Sequence, residues 1–116
     1  MISRPALAAA ALALLAAGDA TAHSKTDAHT PADGTTVAEA PLIAMNFDAP
    51  MRVIAIELTR EGDAVELERA TGMEPVTRFE AAPTEGLDPG IYRVDWRGMS
   101  ADGHPMQGEF GFTIAE

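Results

Sequence analysis

The last third of the chain contains two segments in which apolar and polar residues alternate strictly, and this pattern restricts the fold more than any other. In residues 91–97 and 110–114 every second side chain is apolar. A two-residue period is typical of a β-strand that buries one face. The two segments therefore predict neighbouring strands that supply much of an aromatic core. The predicted core residues are Tyr92, Val94, Trp96, Phe110, Phe112 and Ile114.

Shorter strands are predicted upstream, separated by glycine and proline turns. Residues 42–47 and 52–59 indicate two strands, with Pro50 ending the first. A hairpin turn at 61–63 leads into residues 65–68, and residues 75–79 form a weaker strand. No segment after residue 22 has the period of a long amphipathic helix. The predicted fold class is all-β, an immunoglobulin-like Greek-key β-sandwich or barrel of about seven strands.

Residues 1–22 have the pattern of a cleaved signal peptide. Arg4 precedes a stretch of Ala and Leu that is shorter than the roughly 20 apolar residues of a membrane span. The sequence Ala20-Thr21-Ala22 then supplies the small residues of a cleavage site. An uncut N-terminal anchor helix is the alternative. Cleavage after Ala22 leaves residues 23–116 as one domain that begins with His23.

The chain has no cysteine and a formal net charge of −10. An exported domain without cysteine has neither disulfides nor thiolate metal ligands, so its stability depends on its core. The negative charge disfavours nucleic acid and anionic lipid, and it concentrates cations. The mature domain is expected to be a monomer without stable membrane insertion.

The three histidines, His23, His29 and His104, limit where a nitrogen-rich site can form. As the first mature residue, His23 offers both its α-amine and its ring Nδ1 to one ion. The ordinary pKa values of these groups, about 8 and 6.5, let both be deprotonated at little cost near neutral pH. A histidine at this position by chance is the alternative. His29 is interpreted as a surface residue rather than an auxiliary ligand.

The loop of residues 100–105 joins the two clearest strands and carries a carboxylate and an imidazole two residues apart. In an extended segment, residues i and i+2 point the same way, so Asp102 and His104 can face one point. Gly103, between them, carries no side chain that would crowd the approach. An ordinary solvated Asp-Gly turn with a surface histidine is the alternative.

Five blocks of the sequence resemble the CopC family of periplasmic copper resistance proteins. They follow the order and spacing of the family from the mature N-terminus to the last strand, and the loop block is the most specific. The blocks are residues 23–25, Thr30-Pro31-Ala32-Asp33-Gly34, residues 89–97, Ser100-Ala101-Asp102-Gly103-His104-Pro105 and residues 108–112.

This resemblance implies a periplasmic protein that binds one Cu(II) ion through the amine and ring of His23 together with Asp102 and His104. Three nitrogens and one carboxylate oxygen suit tetragonal Cu(II) better than Zn(II) or Cu(I). The resemblance also implies copper sequestration, or transfer to a CopD-type membrane importer, without catalysis.

The methionines indicate a Cu(II)-only member of that family. Some members carry a second, Cu(I) site in a methionine-rich stretch, whereas the mature methionines here are dispersed. Met45 is predicted to lie in the core, and the others are predicted to be packing or surface residues. These others are Met51, Met73, Met99 and Met106.

Two other functions stay open. Lytic polysaccharide monooxygenases also bind copper through an N-terminal histidine, so a small oxidative enzyme with a histidine-brace-like site is one alternative. Against it, Asp102 would fill a copper position that such enzymes leave open to oxygen, and the domain is small for gripping a polysaccharide. The other alternative is an immunoglobulin-like adhesion or assembly module without metal.

Overall fold

The computed structural model describes residues 29–116, which form eight β-strands and no helix. The predicted signal peptide and His23 lie outside the described residues. Within them, no helix is long and apolar enough to cross a membrane. The strands are β1 (His29–Thr30), β2 (Thr35–Val37), β3 (Ile43–Arg60), β4 (Asp63–Val65), β5 (Leu67–Arg69), β6 (Val76–Pro83), β7 (Gly90–Ser100) and β8 (Pro105–Ile114).

The eight strands form one curled sheet whose two halves enclose the core. Its main order is β2-β8-β7-β3-β6-β5, with β1 and β4 added along β3. Side chains from both halves join a single buried cluster, which confirms the predicted β-sandwich class. Trp96 is only partly buried, at the margin of the cluster. The largest fully buried side chains are Tyr92, Phe79, Ile43, Met45, Leu58, Val53 and Val94.

Strand β3 differs from the prediction of two strands separated at Pro50. The chain stays extended from Ile43 to Arg60, pairing first with β6 and then with β7. The register with β6 shifts between Asn46 and Met51. Pro50 lies within this irregularity, where it has no register partner among residues 29–116, and a strand tolerates proline at such a place. β3 therefore passes from one layer of the sandwich into the other.

The predicted turns on either side of the core are present. Glu61 and Gly62 have φ angles of 50° and 93° and form a two-residue turn between Arg60 and Asp63. Both positive angles fit the turns that connect twisted antiparallel strands. At the turn before β7, the Tyr92 hydroxyl donates a 2.6 Å hydrogen bond to the carbonyl of Asp88.

The hairpin of β7 and β8 is the longest regular pairing in the sheet. Its register runs without interruption from Gly90 opposite Ile114 to Met99 opposite Pro105. Tyr92 stacks on Phe112 across this pair, with ring centroids 5.3 Å apart. The hairpin therefore holds its loop, residues 101–104, at one end of the sheet, beside the β3 residues that pair with the end of β7.

Gly98 in β7 packs against the backbone of β3, and a methyl group there would overlap the carbonyl oxygen of Arg52. Because backbone cannot move aside as a side chain can, we expect Gly98→Ala to lower the free energy of unfolding by about 1–3 kcal/mol. Urea unfolding measures this loss. Gly86→Ala, whose added methyl meets nothing within 4 Å, is the matched control and should change it by less than about 0.5 kcal/mol. Equal losses in the two variants would contradict the packing argument.

Candidate metal centre

The loop between β7 and β8 is closed by backbone hydrogen bonds that converge on Ser100. The Ser100 N–H donates to the His104 carbonyl at 2.9 Å, and the Gly103 N–H donates to the Ser100 carbonyl at 2.9 Å. Gly103 has a φ of 90°, a conformation that side chains disfavour, so glycine suits this position. The loop is therefore a tight turn rather than an extended segment.

Asp102 and His104 meet within this turn. The His104 Nδ1 lies 2.9 Å from the Asp102 Oδ1, and the two side chains are 74% and 69% exposed. The sequence predicted their convergence from an extended geometry, whereas a tight turn brings them together. The structure thus juxtaposes the carboxylate and the imidazole and leaves both open to solvent.

Ser100 completes this cluster, and the sequence analysis gave it no role. Its hydroxyl donates to the Asp102 carboxylate and accepts from the His104 N–H at 3.2 Å. The hydrogen bond from Ser100 is the largest cause that lowers the pKa of Asp102 below its ordinary value of 3.8, and the contact with the His104 imidazole is the next largest. Asp102 is therefore ionised near neutral pH. The signal that could have revealed Ser100 is its place two residues before the aspartate, on the same turn.

The Asp102–His104 pair offers two donors to a metal ion. Nitrogen and oxygen ligands lie about 2.0–2.2 Å from such an ion, so two donors at right angles are about 2.8–3.1 Å apart. The 2.9 Å between Nδ1 and Oδ1 is also the length of a hydrogen bond between them, so both atoms must turn away from each other to bind one ion. Among residues 29–116, no group of three or more His, Cys, Asp or Glu side chains is arranged to hold a metal. The remaining predicted donors belong to His23, outside the described residues.

Strands β1 and β7 lie on the same edge of β3. β6 occupies the other edge, pairing with Ile43–Asn46 and with Met51. β1 pairs with Ala44 and Met45, while β7 begins its pairing at Met51 opposite Ser100. Since both strands are antiparallel to β3, the N-terminal end of β1 faces the C-terminal end of β7. Residues 46–50 of β3 separate the two ends.

A groove of about 450 Å³ lies beside this open stretch of β3. It extends from β1 to the start of the hairpin loop. Its lining includes His29, Phe47, Pro50, Trp96, Ser100 and Met106.

His29 lies at one end of the groove, and the prediction that it is a surface residue is wrong. Its ring stacks on Phe110 with centroids 4.1 Å apart and an angle of 14° between the planes. The Nδ1 atom is buried and has no hydrogen-bond partner in the described part of the chain. Burial lowers the pKa of His29 below 6.5, against a smaller opposing effect of Asp33. The stacked aromatic neighbour was not visible in the sequence because it comes from β8.

The methionines have the environments that the sequence predicted. Met45 is fully buried in the core, as predicted, and Met51 is 6% exposed. Met73, Met99 and Met106 are partly exposed. Met99 and Met106 sit on adjacent strands near the loop, where Met99 pairs with Pro105 and Met106 with Gly98.

The fold and the loop define a small immunoglobulin-like β-sandwich with an exposed Asp–His pair at one end. The CopC domain model matches residues 26–115. Copper resistance protein C of Escherichia coli is 32% identical over 106 residues, covering 82% of this chain and 83% of the relative. Copper resistance protein C of Pseudomonas syringae pv. tomato is 30% identical over 114 residues, covering 90% of each chain. The chain belongs to the CopC family.

Solved structures agree with this assignment. The crystal structure of PcoC, a methionine-rich copper resistance protein from Escherichia coli, matches with a TM-score of 0.66 and 31% identity, covering 75% of this chain and 93% of PcoC. CopC from Methylosinus trichosporium OB3b matches with a TM-score of 0.65 at 21% identity, covering 75% of this chain and 88% of that one. The second match supports the fold alone.

Removing the Ser100 hydroxyl tests how the turn controls Asp102. We expect Ser100→Ala to raise the pKa of Asp102 toward 3.8, because the serine hydrogen bond is the largest cause of its depression. The carboxyl ¹³C shift of Asp102, followed by NMR as a function of pH, measures this change. Ser100→Thr retains a hydroxyl and should keep the pKa low. An unchanged pKa in Ser100→Ala would show that the serine does not act on the carboxylate.

Proposed function

We propose that the mature protein, residues 23–116, is a periplasmic copper-binding protein that holds one Cu(II) ion through His23, Asp102 and His104. The α-amine and ring of His23 supply two nitrogens, His104 a third, and Asp102 an oxygen. Such a set suits a tetragonal Cu(II) ion. The names of the relatives, copper resistance protein C and PcoC, support copper as the metal.

The observation that carries the proposal is that the N-terminal end of β1 faces the C-terminal end of β7 along one edge of β3. Six residues separate His23 from His29, and six residues of extended chain reach up to about 20 Å. Along β3, the same number of residues leads from Met45, the partner of His29, to Met51, the partner of Ser100. The first mature residue is thus within reach of the Asp102–His104 pair.

The electrostatics of the pair also favour a cation. Asp102 is ionised at neutral pH, as an aspartate of ordinary pKa would be, so it loses no proton when a metal binds; Ser100 and His104 lower its pKa and keep it ionised in more acidic solution as well. The formal net charge of −10 raises the local concentration of cations around the domain. A half-formed site that lacks one or two donors can therefore attract the ion before it closes.

The proposed role is sequestration of Cu(II), or its transfer to a CopD-type membrane importer, by a monomer without catalytic activity. With Asp102 as a ligand, little of the copper plane is left for oxygen. The exposed pair suits a protein that receives an ion and delivers it. PcoC is described as methionine-rich, whereas the methionines of residues 29–116 are dispersed along the sequence without a Met-x-Met cluster, and two of them are buried. We therefore propose a Cu(II) site without a second Cu(I) site.

The site depends on removal of residues 1–22, because in the precursor the nitrogen of His23 is a peptide amide. We expect the exported protein to begin at His23. Intact-mass spectrometry of the periplasmic fraction, with sequencing of the N-terminal peptide, measures this. Another first residue would exclude the amine–imidazole chelate.

Copper titration of the mature protein tests the ligand set. One equivalent of Cu(II) should give a nitrogen-rich tetragonal EPR spectrum. Loss of a supporting hydrogen-bond partner costs a metal site about 10–100-fold in affinity, so loss of a ligand should cost more than about 100-fold. We expect this from His104→Ala, from Asp102→Asn, and from one extra alanine ahead of His23. A competition assay with a chelator measures the affinities.

Asp63→Asn is the matched control for Asp102→Asn, because it makes the same change of charge at the start of β4, just after the turn that follows β3. It should bind copper like the unmodified protein. If Asp102→Asn lowers the copper affinity only about tenfold, the carboxylate supports a ligand through a hydrogen bond and does not bind the metal itself. Peroxide formed from ascorbate by the copper-loaded protein would instead favour the oxidative enzyme.

A further inference from the structure

His29 is the one described histidine that the proposed copper site does not use. Its ring stacks on Phe110 of β8, while its backbone pairs with Met45 of β3. β1 has only two residues, His29 and Thr30. The stacked ring therefore helps to hold this short strand on the sandwich, together with the backbone pairs and the buried Pro31 that follows it.

The environment of the ring tolerates neutral imidazole better than imidazolium. In the neutral ring one nitrogen carries a proton and the other does not, whereas in the charged ring both are donors. The Nδ1 is buried without a partner among residues 29–116. His29 as a whole is half-buried, but a protonated ring would place an N–H donor at this buried atom without an acceptor, which is costly.

Three carboxylates belong to the segments around the ring, and one of them, Asp33, acts on it. Asp33 follows β1 and acts on it directly, while Asp48 of β3 and Glu109 of β8 line the same groove. β7 contributes Trp96 and Ser100, which are uncharged. Asp33 favours the charged ring, but burial outweighs it, and the pKa of His29 lies below its ordinary value.

We propose that His29 is an acid-sensitive latch, which holds β1 on the sandwich when its ring is neutral and loosens the strand when the ring is protonated. A consequence, which rests on the proposed copper site, is that the protein releases copper on acidification more readily than protonation of the ligands alone requires. β1 is the attachment of the segment that carries His23. Loosening it removes two donors from the neighbourhood of Asp102 and His104.

The direction of the effect follows from proton linkage. Between the lowered pKa of folded His29 and the unfolded value of 6.5, the unfolded chain binds more protons than the folded one. Stability from the neutral ring is therefore complete above about pH 6.5 and is lost as the pH falls through that value toward the folded pKa. For each pH unit by which the pKa of folded His29 lies below 6.5, acidification lowers the equilibrium constant for folding by at most a factor of ten.

The test compares the metal-free mature protein with His29→Phe, which keeps an aromatic ring that can stack on Phe110 but cannot titrate. Urea unfolding is followed from pH 7.5 to 4.5. We expect the unmodified protein to lose stability below pH 6.5 relative to His29→Phe, by a factor that matches the depression of the His29 pKa. Parallel pH profiles would overturn the latch.

If His29→Phe fails to fold, the pKa of His29 in the unmodified protein, measured by NMR, tests the proposal instead. A value at or above 6.5 would overturn the proposal. Chelator competition at pH 7.5 and 5.5 then tests the link to copper. We expect a larger loss of affinity in the unmodified protein than in His29→Phe, and equal losses would overturn the link.

Weak copper binding by both the unmodified protein and His29→Phe at pH 7.5 would instead overturn the proposed copper site. The metal-free profiles would still decide whether the latch exists. The two failures are therefore distinguishable.

Discussion

Backbone pairing along β3 fixes the positions of β1 and of the end of β7, the two elements that flank the candidate site. This strand belongs to both layers, because it pairs with β6 over its first residues and with β7 over the rest. Its register with β7 sets Ser100 opposite Met51, and its register with β1 sets His29 opposite Met45. The hairpin loop and β1 are thus aligned by main-chain hydrogen bonds, which do not depend on the side chains of the site. The site can therefore vary while the frame stays constant.

The sequence was sufficient where local chemistry decides the structure. The alternation in residues 91–97 and 110–114 predicted β7 and β8 because each strand buries one face, and Glu61-Gly62 predicted a turn because glycine accepts a positive φ. It failed at Pro50, since a proline ends a strand only where its missing donor is needed. Between Asn46 and Met51 the ladder is already interrupted, so the extended chain continues.

The candidate site shows the same division between local and distant causes. The convergence of Asp102 and His104 was predictable because both lie on one short loop. The role of Ser100 depends on the turn geometry, and the burial of His29 depends on Phe110, which is 81 positions away in the sequence. Contacts between distant segments follow from the topology of the sheet, which a local pattern does not encode. The ligand role of His23 rests on the resemblance and on the reach of the chain.

The two described histidines are held in opposite ways. His104 is 74% exposed and has a carboxylate at 2.9 Å, while His29 is stacked on an aromatic ring with a buried nitrogen that has no partner among residues 29–116. The exposure of the Asp102–His104 turn bears on how an ion would leave it. An ion bound by such side chains keeps a face toward solvent, so donor atoms of an acceptor protein can join its coordination before the first ligands depart. Under the proposed function, exchange by this route would avoid a free ion, and its rate would be set by encounter with the acceptor rather than by spontaneous dissociation.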